Sequence, residues 1–277
     1  MSGPLMIRVG IPASFTRFAA AAQDLGVGGL VSANAFFRHR QQRFRRPAPD
    51  LFGGLDVALD SAGFVAMVKY GDYPWSVSQY VELAKSHPWT WWASMDFCCE
   101  PEIAPNRAEV LSRVRRTVDM LAEVKAEAAF QRATAPMPVL QGWNPDDYLR
   151  CAEMMGDLPN LVGLGSVCRR HEDGPTGVIT VIRELHAALP PNVRVHLFGV
   201  KGPAAARLRG HPRVASVDSA AWDREAAGEA TKLRRAAKRA GGEFRCNVDY
   251  RISHMRRWVS SLEDAVSDRP DIFAKAA

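Results

Sequence analysis

Three apolar runs in this chain each finish on an aspartate. Val57-Ala58-Leu59-Asp60 leads into Ser61-Ala62-Gly63-Phe64, residues that turn rather than extend. Trp91-Trp92-Ala93-Ser94-Met95-Asp96 and Val214-Ala215-Ser216-Val217-Asp218 repeat the arrangement. A buried strand that ends this way delivers a carboxylate to the rim of a sheet. One such Asp alone is a helix cap or a turn former. Three of them, joined by Leu140-Gln141-Gly142 and the glycine-rich Val162–Val167 run, outline a polar site. Carboxylates so placed do nucleophilic and acid–base chemistry.

The elements that must position them alternate. Strands are expected at Met6–Ile11, Leu30–Phe37, Val57–Phe64, Trp91–Phe97, Pro138–Trp143, Leu161–Val167, Val193–Val200 and Val214–Asp218. Helices are expected at Phe15–Leu25, Ser76–Ser86, from Asn106 onward, Asp146–Met155, Gly177–Leu189 and Ala204–Arg209. Eight strands spaced as βα units predict an α/β fold, a single (β/α)8 TIM barrel over residues 1–222. A basic, helical C-terminal extension over 223–277 would pack on it. An open doubly wound sheet is the alternative. In a barrel the site lies at the C-terminal strand ends, which gathers Asp60, Asp96, Gln141, Gly163–Gly165, Phe198–Lys201 and Asp218 at one mouth.

The 277 residues are 47% hydrophobic and 24% charged, the balance of an ordinary globular protein. No secretory signal and no membrane-spanning run is expected, and the reading is cytoplasmic. Five cysteines (Cys98, Cys99, Cys151, Cys168, Cys246) show no C-x-x-C spacing, so free thiols are expected and no metal site. The net charge of +6 is unevenly spread: Arg38–Arg46 carries +5, Lys232–Arg257 carries +7 and the remainder −6. Two basic segments on an acidic body point to a polyanionic partner, against the plainer reading of solvated arginine-rich faces.

The order of motifs resembles the tRNA-guanine transglycosylase family. Asp60-Ser61-Ala62-Gly63-Phe64 is similar to its Asp-Ser-Gly-Gly-aromatic motif, and Asp96-Phe97-Cys98-Cys99-Glu100-Pro101 to its base-recognising stretch. Leu140-Gln141-Gly142, Val162–Val167, Leu197–Gly202 and Val217-Asp218-Ser219-Ala220 resemble its later motifs. Ala62 stands for one motif glycine, the Pro-Thr-Arg after the nucleophile is missing, and Cys246 and His254 cannot supply the family's zinc site. These departures resemble the DNA branch, the DpdA-type 7-deazaguanine transglycosylases.

The resemblance implies exchange of guanine for a 7-deazaguanine, with DNA and a free base such as preQ0 as partners and no cofactor. Asp218 would be the nucleophile and Asp60 the general acid/base. Asp96, Gln141, Gly163, Leu164, Gly165, Ser61, Phe64 and Phe198 would bind the base, with backbone N–H groups near Gly163–Gly165 on its O6. Phosphates would meet Arg38, Arg40, Arg43, Arg45, Arg46, Arg169, Arg170, Lys201, Lys232, Arg234, Arg235, Lys238 and Arg239. A shortened tRNA-modifying enzyme, a non-catalytic nucleic-acid-binding barrel and a small-metabolite lyase or hydrolase are the alternatives, and the need for helper proteins stays open.

Overall fold

Short apolar runs, each leading into an amphipathic helical stretch, assemble into one parallel sheet flanked by helices. The structure, a computed structural model, describes residues 5–12 and 15–264. Its strands are β1 (Met6–Gly10), β2 (Gly28–Ser32), β3 (Phe37–Arg38), β4 (Arg43–Phe44), β5 (Val57–Asp60), β6 (Val139–Leu140), β7 (Leu161–Leu164), β8 (Arg194–Leu197) and β9 (Val214–Ser219). Seven of them lie in the order β5-β2-β1-β9-β8-β7-β6, and every pairing in that sheet is parallel.

The sheet curls, because both of its edges reach the same segment. Leu59 of β5 bridges to Trp92, and Ala93 bridges to Met137 just ahead of β6. Four backbone bonds of 2.8–2.9 Å make these joins: Thr90 N–H to Val57 O, Ala93 N–H to Leu59 O, Ser94 N–H to Met137 O and Met137 N–H to Trp92 O. The strand expected over Trp91–Phe97 is thus cut to two isolated bridges. Side chains capture the next backbone donors: Asp96 N–H goes to the Tyr73 hydroxyl and Phe97 N–H to Thr117 Oγ1.

Other strands also stop short of their expected ends. β2 gives way at Ser32 to a 3-10 turn, Ala33–Ala35, which carries Phe36 into the core against Phe15 at 5.3 Å. The basic segment then forms the antiparallel β3–β4 hairpin instead of a loop. β6 ends before Gln141, whose N–H turns to Cys151 Sγ, and β7 ends before the left-handed Ser166 (φ 55°).

The helices are α1 (Phe15–Asp24), α2 (Gly63–Val65), α3 (Val77–Lys85), α4 (Arg107–Gln131), α5 (Pro145–Met155), α6 (Val178–Ala188), α7 (Gly202–Arg207), α8 (Ala221–Arg239) and α9 (Val248–Asp264). Ser76 and Gln79 form a capping box on α3, and the Asn106 side chain caps α4. α2 runs into a π-helical turn, Ala66–Tyr70, that no sequence pattern announced. No helix among the described residues is long and apolar enough to cross a membrane.

The division expected after Trp222 falls inside α8. Trp222, Ala226 and Ala230 form its buried stripe, and Trp222 meets Phe18 of α1 at 5.6 Å. α9 packs beside α8 and reaches α1 through an Arg17–Asp249 ion pair, while Arg251 binds Asp223 and lies 4.8 Å over Phe18. Residues 265–277 of the expected extension lie outside the described residues. Trp222→Ala should therefore cost about 3–5 kcal/mol of unfolding free energy, read from the urea midpoint.

Candidate active site

At the C-terminal strand ends lies a cavity of ≈ 260 Å³. Asp60, Asp96, Gln141, Gly165 and Asp218 line it, with Phe64 and Phe198 at its walls. Carboxylates from β5, from the segment after Trp92–Ala93 and from β9 therefore share one concave space. Such a space disfavours like charges.

Burial, with Asp96 and Asp218 close by, pushes the Asp60 carboxyl up to about 7. The Ala62 N–H, 3.1 Å from Oδ2, only partly offsets this. Ala62 donates from a left-handed backbone (φ 66°), the position where the resembling motif carries glycine. Asp60 thus holds or releases a proton near neutrality, as an acid/base group must.

Asp96 is also raised by burial, and two donors ease it. Ser61 Oγ donates to Oδ1 at 2.9 Å, and Gln141 Nε2 donates to Oδ2. The amide is oriented from behind: Cys99 N–H donates to Ser166 Oγ, whose hydroxyl donates to Gln141 Oε1, each at 2.6 Å. Only glycine fits at 165, because a Cβ there would sit 2.1 Å from Gln141 Nε2. Each Asp96 oxygen keeps acceptor capacity for a further donor.

Among the described residues Asp218 is held through Oδ1. Gly199 N–H donates to it at 2.8 Å, and His196 Nε2 approaches it at 3.4 Å. Gly199 takes a left-handed φ of 68° to aim that N–H.

Several expected residues stand behind the cavity instead of on it. Ser61 and Leu164 are fully buried, and Phe198 covers Gly163, where a Cβ would lie 2.5 Å from its ring. The N–H groups of Gly163 and Gly165 do not face a ligand: sheet pairing uses them, on Pro138 O and Leu140 O. Arg170 is corrected too. It is 4% exposed, and its guanidinium donates to the carbonyls of Gly142, Trp143, Ser166 and Thr176, so it braces the loops after β6 and β7.

Other basic residues do reach the surface. Arg38, Arg43, Arg45 and Arg46 line one recess of ≈ 520 Å³ beside α3, with Arg46 paired to Glu82 and Arg45 over Phe15 and Phe36. Arg40 and Lys201 are exposed. Arg169, paired to Glu102, edges the cavity, and Lys232, Arg234, Arg235, Lys238 and Arg239 are exposed along α8.

Sequence reasoning missed Glu100, Arg224, Tyr73 and His196. Glu100 and Arg224 line the cavity; the Tyr73 hydroxyl holds the Asp96 backbone, donating to its carbonyl at 2.9 Å. Glu100 sits four residues past Asp96, a spacing that could have flagged it. The cavity thiols Cys98 and Cys168 are pushed up to about 12 by burial, which leaves them protonated at neutral pH. Among the described residues no group of three or more His, Cys, Asp or Glu is placed to hold a metal ion.

The raised Asp60 value has a consequence for stability. In the unfolded chain the carboxyl titrates near ~3.9. The folded value is higher, about 7, so the stability it contributes is present below ~4 and lost as pH rises through 7. Asp60→Asn cannot ionise. Its melting temperature should exceed wild type by roughly 4–8 °C at pH 8, with little difference at pH 4, by calorimetry.

A comparison with curated proteins returned no match. The sequence model of one family, described as "DpdA: DeoxyPurine in DNA protein A", matches residues 25–268, most of the chain, and the chain belongs to that family.

Proposed function

We propose that this protein is a DNA guanine transglycosylase that replaces guanine with a 7-deazaguanine, preQ0 or a relative, through a covalent glycosyl-Asp218 intermediate. The observation that carries the reading is the meeting of Asp60, Asp96 and Asp218 in one cavity, each with a different set of donors. The family's own description, deoxypurine in DNA, supports DNA as the substrate. The wider likeness to tRNA-guanine transglycosylases and the cytoplasmic setting belong to the same proposal. So does the closed (β/α)8 barrel, with Trp91–Ser94 as its fourth stave, supported by the two bridges.

In this reading Asp218 attacks C1′ as the C1′–N9 bond breaks, and the departing guanine takes a proton from Asp60. The incoming base gives its N9 proton to Asp60 as its nitrogen attacks C1′ and the Asp218 ester bond breaks. Sugar, strand and proton count end as they began. Asp96 accepts the N1–H and N2–H donors that guanine and 7-deazaguanine share, Gln141 sits beside it, and Phe64 and Phe198 offer ring faces, a stack worth about 1–3 kcal/mol.

The test is a denaturing gel of enzyme with guanine-containing DNA and no incoming base. Wild type should form a covalent band, Asp218→Asn none, and Asp60→Asn a band that forms more slowly and that the free base no longer discharges. A band from Asp218→Asn would move the nucleophile elsewhere.

The basic surfaces are read as phosphate contacts that offset the cost of drawing a base out of a duplex. Arg43, Arg45 and Arg46 replaced together by Ala should lower the log–log salt slope of duplex binding by about two to three units. The same replacement at Arg234, Arg235, Lys238 and Arg239 tests α8. Unchanged slopes in both would make these solvated faces.

A further inference from the structure

β8 and β9 pair in step except at one place. Val195 lies opposite Val214, but the next residue, His196, lies opposite Ser216. Ala215 is thus an extra residue, a bulge of the kind that re-aims side chains beside active sites. Its product is a buried polar line. Ser216 Oγ lies 2.7 Å from His196 Nδ1, and His196 Nε2 lies 3.4 Å from Asp218 Oδ1.

His196 is fully buried between Trp91 and Phe198, with ring centroids at 4.7 and 4.6 Å. Its Nε2 has no settled hydrogen bond, and Asp218 is the acceptor it approaches. A carboxylate only accepts, so Nε2 must carry the proton and Nδ1 must accept from the Ser216 hydroxyl. Burial holds the imidazole below its ordinary range, Arg8 adds to this and Asp218 opposes it, so the ring is a neutral donor and not a second charge.

We propose that His196, oriented by Ser216, is the positioning residue of the nucleophile: with Gly199 N–H it secures Oδ1, so that Asp218 presents Oδ2 to the sugar. The inference rests on the base-exchange reading above. Oδ2 bonds to C1′ as C1′–N9 breaks, and Oδ1 becomes the ester carbonyl oxygen. In the second half C1′–Oδ2 breaks and its electron pair returns to the carboxylate, while His196 keeps its proton throughout. A donor on Oδ1 binds the regenerated carboxylate more strongly than the ester carbonyl. It therefore helps Asp218 leave.

The test compares His196→Phe, His196→Gln and Ser216→Ala with wild type in steady-state exchange, adduct gels and thermal melts. For His196→Phe, kcat should fall roughly 100-fold while KM for the incoming base stays within about twofold. The share of enzyme trapped as adduct at steady state should rise, which a merely structural role would not produce. His196→Gln, whose amide can donate toward the same oxygen, should recover roughly tenfold. Ser216→Ala, which loosens the ring without removing it, should lose roughly tenfold in kcat at an unchanged melting temperature.

Wild-type kcat in His196→Phe, or in Ser216→Ala, overturns the proposal. Should His196→Phe fail to fold, Ser216→Ala and His196→Gln decide by the same criteria. A normal wild type with indifferent variants removes this inference alone. A wild type that forms no adduct removes the base-exchange reading and this inference with it.

Discussion

Three carboxylates crowded into one desolvated cavity repel each other, and the surrounding structure is arranged around that conflict. A buried charge without partners costs several kcal/mol, so each group needs its own relief. Asp96 has Ser61 and Gln141, Asp218 has Gly199 with His196 nearby, and Asp60 has the Ala62 N–H and the Ser32 side chain. Those two donors do not offset the burial of Asp60, which is pushed up to about 7. Burial sets most of its proton affinity, and the charges of Asp96 and Asp218 add to it.

The Ala62 turn shows how tightly this is drawn. A left-handed alanine costs about 1–2 kcal/mol relative to its preferred conformations. That geometry points its N–H at Asp60 Oδ2 and starts α2, which sets Phe64 at the cavity wall. Glycine would take the same turn without strain and with less rigidity.

Much of the site was legible because strand ends are local events. An apolar run that meets Asp-Ser-Ala-Gly or Gln-Gly stops within a residue or two, and so Asp60, Asp96, Gln141 and Asp218 could be placed at one rim. The strands themselves were drawn too long for a related reason. Residues that build the site also take the backbone away from its neighbours: Tyr73 and Thr117 capture the donors of Asp96 and Phe97, and Ser166 and Gly199 turn left-handed. His196 stayed hidden inside an apolar run, since its role depends on a bulge in a different strand. Arg169 and Arg170 are chemically alike in sequence. Only the four carbonyls around Arg170 separate a bracing arginine from an exposed one.

The pairing of β1 with β9 has a consequence for how the molecule comes into being. Met6 lies opposite Ser216, and Arg8 lies opposite Asp218, so among the described residues the first strand is the partner of the last. During synthesis β1 can pair with β2 early, but its other edge waits until β9 has been made. Contacts this distant in sequence form slowly and leave sheet edges open in the meantime. Asp218 enters the cavity only when β9 docks. A chain interrupted before β9 therefore holds Asp60, Asp96 and Gln141 without the third carboxylate that shares their cavity.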